Sequence, residues 1–189
     1  FVCLQPDHEA KADTVGVPIE GVQIKVDDNG ELLVKSNGLL KGYYKNEAAT
    51  REVLTADGWY RTGDLASVDA GGYLFIVDRA KDMIVSGGEN VYTTEVENAL
   101  AGHPAVLELA VFGIPHDQWG EAVHAEVVLK PGHTATEPEL IAHCRASITG
   151  FKVPRTIAIR HDALPKSGAG KILKRDIRAP YWAGRERAV

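Results

Sequence analysis

Short alternating runs broken by Asp/Asn-Gly turns dominate the first eighty residues. Val22–Val26 and Glu31–Lys35 flank Asp27-Asp28-Asn29-Gly30, and Leu65–Val68 and Tyr73–Val77 flank Asp69-Ala70-Gly71-Gly72. Period-two alternation around residues that tolerate positive φ specifies a β-hairpin. Between the two hairpins "NEAATREVL" reads as a short helix with Asn46 as its N-cap. After Val77 neither alternation nor a helical period holds for several positions, which places a linker near Asp78–Asp82.

Beyond that point strands and helices interleave. "TTEVENALAG" predicts a helix in which Thr94 and Glu97 form a capping box, stopped by Gly102 and Pro104. "AVLELAVFGI" and "AVHAEVVLK" read as strands, "TEPELIAHCRASI" as a helix capped by Thr136 and Glu139, and "RTIAIRH" as a strand. The fold class is therefore α+β, a β-hairpin-rich segment followed by a small α+β domain.

The chain opens on Phe1 rather than Met, which suggests a fragment, a recombinant segment or a processed product. No apolar run approaches the roughly 20 residues that span a bilayer. No leader is recognisable, so a cytoplasmic location is expected, with peripheral membrane contact allowed. Cys3 and Cys144 lack metal-ligand spacing and read as packing residues. Charge is unevenly placed: Arg145–Val189 carries 11 Lys and Arg against 3 Asp and Glu, while the net charge is −5. That basic tail reads equally as a solvated surface or as a site for a polyanion.

Several residues can carry chemistry. Asp64 in "YRTGD" can accept two hydroxyl hydrogen bonds or close its own turn. Arg79 in "DRAKD" can fork onto a phosphate or belong to a solvated, internally paired hinge. "SGGEN" lets a ligand approach the backbone at Gly87 and Gly88, or is a hairpin turn. Glu95 and Glu97 face apart and read as helix surface, and His116 as a turn residue. In "LPKSGAGKILKRDIR", Lys171 ends a Gly-Ala-Gly loop and can neutralise a developing oxyanion. This is not a P-loop, because Pro165 stands at the first glycine position and Ile172 follows the lysine.

In order, "GELLVKSNGLLKGYYKNEAATREVLTADGWYRTGDL", "DRAKDMIVSGGENVYTTEVENAL", "VFGIPHDQWGEAV", "FKVP" and "LPKSGAGKILKRDIR" resemble the adenylate-forming superfamily, and within it the fatty acyl-CoA synthetases. The resemblance implies that 1–78 is the tail of the large adenylating domain, 79–83 the hinge and 84–189 the complete mobile small domain. It implies ATP with Mg2+ and coenzyme A as cofactor and co-substrate, and a carboxylic acid as substrate. Asp64 and Arg79 would hold the nucleotide, Lys81 would sit at the hinge, and Lys171 would serve the adenylation half-reaction. Gly87 and Gly88 would line the pantetheine path, with Trp119, Phe151, Lys152 and Arg155 toward the coenzyme A nucleotide. The metal ligands, phosphate loop and acyl pocket would lie upstream of Phe1, so these residues alone are not expected to adenylate. The chain departs from the family at Asp78, where Gly is common, and at Thr93, where Pro is common.

Two other readings remain open. One changes the acceptor to a carrier-protein thiol; more remotely, the luciferase-like oxygenase branch shares these motifs. The other is a non-catalytic module whose basic tail binds nucleotide or nucleic acid. Against nucleic acid stands the lack of interleaved exposed aromatics and of a DNA-reading helix.

Overall fold

Turn chemistry builds the first hairpin as expected. In the computed structural model, which describes residues 2–185, the Asp27 carboxylate accepts from the Asn29 and Glu31 N–H groups, and Gly30 takes φ +86°. Two short strands, β1 (Cys3–Leu4) and β2 (Val17–Pro18), pair with each other. A four-stranded antiparallel sheet follows in sequence order: β3 (Val22–Val26), β4 (Glu31–Ser36), β5 (Tyr60–Val68) and β6 (Leu74–Arg79). Leu32, Val34, Ala66 and Leu74 form its core. Helix α1 (Glu47–Val53) starts where the Asn46 side chain accepts from the Ala49 N–H.

The second hairpin is longer than its alternation suggested. Strand β6 continues through Asp78 to Arg79, and Asp78 is buried opposite Leu65. The expectation of a linker from Asp78 is corrected on this point: main-chain pairing holds the first two residues in the sheet whatever their polarity. The chain divides into two compact units between Lys81 and Asp82.

The second unit begins with a hairpin, β7 (Ile84–Ser86) and β8 (Glu89–Val91), turned by Gly87 and Gly88 at φ +61° and +88°. Helix α2 (Thr93–Ala101), strands β9 (Val106–His116) and β10 (Gly120–Leu129), helix α3 (Glu137–Arg145) and strand β11 (Thr156–Arg160) follow. β10 is the middle strand, antiparallel to β9 and parallel to β11. A five-residue helix, α4 (Lys174–Arg178), and a 3-10 turn, Ala179–Trp182, complete the unit.

Strand alternation sorts the two faces of this sheet. Val111, Val123, Ala125 and Val127 meet Val96 and Leu100 of α2 and Leu140 and Cys144 of α3. Ala110, Phe112 and Val128 meet Leu164, Ile177 and Tyr181 from the C-terminal segment. A strand covered on both sides is buried nearly throughout, and β10 is.

The α3 capping box forms as predicted, with Thr136 and Glu139 exchanging side-chain and backbone bonds. The α2 capping box does not form. Its N-cap is Tyr92, which makes no side-chain capping bond, and Thr94 is exposed inside the first turn. The Ser/Thr-x-x-Glu spacing is present, but the helix starts two residues too early for Thr94 to cap it, with Thr93 already helical and fully buried.

Candidate functional site

Strand register brings Asp64 and Arg79 together. They sit directly opposite on β5 and β6, with Arg79 Nε 3.0 Å from Asp64 Oδ1. The local geometry is prepared by Gly63, whose φ is +72°, and by the Thr62 hydroxyl, which accepts the Asp64 N–H. Gly63 is bonded on both sides, donating to Glu31 Oε1 and accepting from the Ala80 N–H. Asp64 therefore lies within a strand, and its side chain turns to arginine instead of closing its own turn. Both side chains keep solvent access, at 27% and 57%. A carboxylate beside a guanidinium offers hydroxyl acceptors and a phosphate donor at one place. Lys81 follows β6 in a turn at the end of the first unit.

In the second unit a corner forms around Trp119. The Gly87 N–H donates to the Trp119 carbonyl at 3.0 Å, and a Cβ on Gly87 would meet Trp119 Cδ1 at 3.4 Å. The Arg155 guanidinium lies 4.1 Å from the indole centroid, and the His116 ring stacks at 4.1 Å with planes 10° apart. His116 Nδ1 accepts the Gln118 and Trp119 N–H groups, so it is the turn residue expected and also a stacking partner. Arg155 is itself placed by its N–H, which donates to the Val123 carbonyl. The result is a planar, cationic surface next to a glycine turn, suited to a flat polyanion.

Phe151 is exposed and Lys152 is not free. Its ammonium bonds both Glu95 oxygens at 2.7 and 2.9 Å, and lies 5.7 Å from the Phe151 centroid. Glu95, read as plain helix surface, holds it there.

The Lys171 loop is more ordered than its glycines suggest. Ser167 donates its N–H to the Lys171 carbonyl and accepts from the Gly170 N–H, each at 2.8 Å, and the Ser167 hydroxyl accepts from the Lys171 N–H. Lys166 and Ile172 form an antiparallel bridge below the tip. The Lys171 side chain is exposed at the end of this turn. Glycine flexibility is thus confined to Gly168–Gly170.

Neither cysteine joins a site. Burial pushes the Cys144 thiol up to about 11 and raises Cys3 as well. No group of three metal-ligating side chains occurs among the described residues. No helix there is long and apolar enough to cross a membrane.

Residues 95–171, ending on Lys171, match the AMP-binding enzyme C-terminal domain. Feruloyl-CoA synthase of Amycolatopsis sp is 46% identical over 85% of this chain and 32% of its own. Long-chain-fatty-acid–CoA ligase of Yersinia pestis is 43% identical over 91% of this chain and 32% of its own. Among solved structures, ATP-bound MatB from Rhodopseudomonas palustris superposes with TM-score 0.83 and 33% identity, covering 89% of this chain and 36% of that one. The chain belongs to the adenylate-forming superfamily. It spans about a third of the length of the curated relatives it matches.

Within the adenylate-forming pattern, sequence reasoning missed the residues that hold the others. The holding roles of Glu95, Glu97, Glu108 and Lys174 carry no local signature. Their partners are distant in the chain, 57 positions for Lys152 with Glu95 and 81 for Lys174 with Thr93.

Proposed function

We propose that these residues are the C-terminal part of an ATP-dependent acid–thiol ligase. In its first half-reaction a carboxylate oxygen attacks the α-phosphorus of ATP and pyrophosphate leaves. In the second, the thiol of coenzyme A attacks the acyl carbon and AMP leaves. Asp64 accepts the ribose hydroxyls and Arg79 faces the same nucleotide. Lys171 places its ammonium where carboxylate and phosphate oxygens develop charge, an interaction strongest in the transition state. Lys81 is the hinge that brings the small domain into each orientation. Gly87 and Gly88 admit pantetheine, while Trp119, Arg155, Phe151 and Lys152 face the coenzyme A nucleotide. Mg2+ accompanies ATP and is held by residues outside this segment.

The observation that carries this reading is similarity along 91% of the chain to the long-chain-fatty-acid–CoA ligase of Yersinia pestis. The Asp64–Arg79 pair supports it. So does an exposed Lys171 on an ordered turn. Relatives are named for ferulic and for long-chain fatty acids, so a fatty acid is the first candidate within a wider set of carboxylic acids.

The test is carboxylate-dependent ATP–pyrophosphate exchange by the longest native polypeptide containing this sequence, with aromatic and short to very long aliphatic acids. Exchange followed by acyl-CoA formation is expected. Lys171→Ala should lower exchange about 100-fold or more, as removal of one oxyanion-stabilising donor does. The 189 residues alone should give no acyl-AMP. Exchange without coenzyme A transfer would move the acceptor to a carrier-protein thiol. No exchange with any acid would overturn the reading.

A further inference from the structure

The lysine turn is the tip of a hairpin whose two legs are each tied by an ion pair. On the incoming leg, the Lys166 ammonium bonds Glu108 Oε1, and Glu108 Oε2 accepts the Leu164 N–H. On the outgoing leg, the Lys174 ammonium lies 2.8 Å from Glu97 Oε1 and 2.9 Å from the Thr93 hydroxyl. Glu97 Oε1 also accepts the Val111 N–H at 2.9 Å. β9 thus supplies the reference for both legs, through Glu108 on the strand itself and through Val111 beneath Glu97.

This second clamp joins three elements that no local sequence rule connects: α2, β9 and α4. Glu97 and Lys174 expose only 25% and 20% of their side chains. A largely desolvated charge pair that also satisfies a strand N–H has one low-energy geometry, unlike an exposed pair. Thr93 is fully buried, and its hydroxyl gives Lys174 a second anchor beside Glu97.

We infer that Glu97, Lys174 and Thr93 are positioning residues that set where the Lys171 ammonium stands during adenylation. The inference rests on the role given to Lys171 under the proposed function. Lys174 lies three residues after Lys171, and Ile172 between them packs against the Phe112–Ile177 core. With the outgoing leg fixed, the Lys171 side chain starts from one backbone position. Released at that end, the turn keeps its internal bonds and its tie to Glu108 on β9 but loses its register on α2. A displacement of about 1 Å at a catalytic group costs on the order of 100-fold in rate.

The experiment compares Lys171→Ala, Glu97→Gln, Lys174→Met, Lys174→Arg and Thr93→Val in the longest native polypeptide. Both half-reactions are read separately: pyrophosphate exchange, and thioester formation from supplied acyl-adenylate. Glu97→Gln keeps an acceptor for Val111, and so tests the charge without leaving that N–H unpaired.

Lys174→Met is expected to lower kcat for exchange about 10- to 100-fold. Its KM for ATP and its thioester step should stay within about threefold. Lys174→Arg should recover most of the loss, and Glu97→Gln and Thr93→Val should fall between. Amide hydrogen exchange across 166–172 should quicken in Lys174→Met while that of β10 is unchanged. If Lys171→Ala slows exchange but the clamp variants do not, the clamp is overturned and the role of Lys171 stands. Equal loss in both half-reactions, with a lowered melting temperature, would make the clamp merely structural and overturn the inference. If Lys171→Ala leaves exchange intact, the Lys171 reading fails and the clamp's positioning role fails with it.

Discussion

His124 shows how one side chain ties the C-terminal segment to the sheet. It is buried on β10, with Nδ1 2.7 Å from the Thr156 hydroxyl and Nε2 3.1 Å from the Tyr181 hydroxyl. Tyr181 donates to Glu126 Oε1, and Arg160 bonds the other Glu126 oxygen at 2.6 Å. The bonds therefore run in one direction: Thr156 donates to Nδ1, Nε2–H donates to Tyr181, and Tyr181 donates to Glu126. Burial lowers the His124 pKa, against the pull of Glu126 and Glu137. A histidine kept neutral in the fold but free to protonate when unfolded makes the unfolded state bind more protons in acid. Stability is then complete above the ordinary value near 6.5 and declines as pH falls below it. Urea denaturation between pH 7.5 and 5.5 should show that decline, and His124→Gln should flatten it. An unchanged slope in the variant would exclude His124 as the source. His124 was not recognised in the sequence, because strand alternation marks which face a residue occupies and not what waits there.

Among the elements, the two long helices of the second unit separate a motif's spacing from its phase. Thr94-x-x-Glu97 and Thr136-x-x-Glu139 look alike in sequence, yet a capping box closes at Thr136 and none closes at Thr94. Loss of a working N-cap costs about 1 kcal/mol. Thr136→Ala should therefore lower thermal stability by that amount. Thr94→Ala, at an exposed position, should stay within about 0.5 kcal/mol. Equal losses would restore the capping reading for α2. The hairpins were legible because their turns are local: Asp27 and Asp69 each accept backbone N–H groups two and four residues on. The β6 terminus was not, since Asp78 and Arg79 are strand residues by virtue of β5 beside them.

At the scale of the whole molecule, the division after Lys81 predicts where the chain opens to protease. Limited trypsin digestion should cut first at Arg79 or Lys81 and leave two folded products. First cleavage inside either unit would count against the division. Charge behaves differently from its distribution along the chain. Lys152, Arg160, Lys166, Lys174 and Arg185 all pair with acids lying between Glu95 and Glu126. Glu186 and Arg187 lie outside the described residues. Five of the eleven basic residues of the tail are thus paired inside the second unit, which weakens the case for a nucleic-acid module.

By itself the sequence determined the hairpins, the caps at Asn46 and Thr136, the α+β class and the ordered motifs that mark the adenylate-forming family. Each depends on bonds between residues a few positions apart, or on residue order alone. Tertiary structure decided that Arg79 faces Asp64, that Trp119 meets Gly87, His116 and Arg155, and that Lys174 reaches Glu97. Apart from the short turn joining His116 to Trp119, these contacts join residues brought close by strand register and by packing of the sheet's two faces. Side-chain identity permits such pairs, and the folded backbone selects among them.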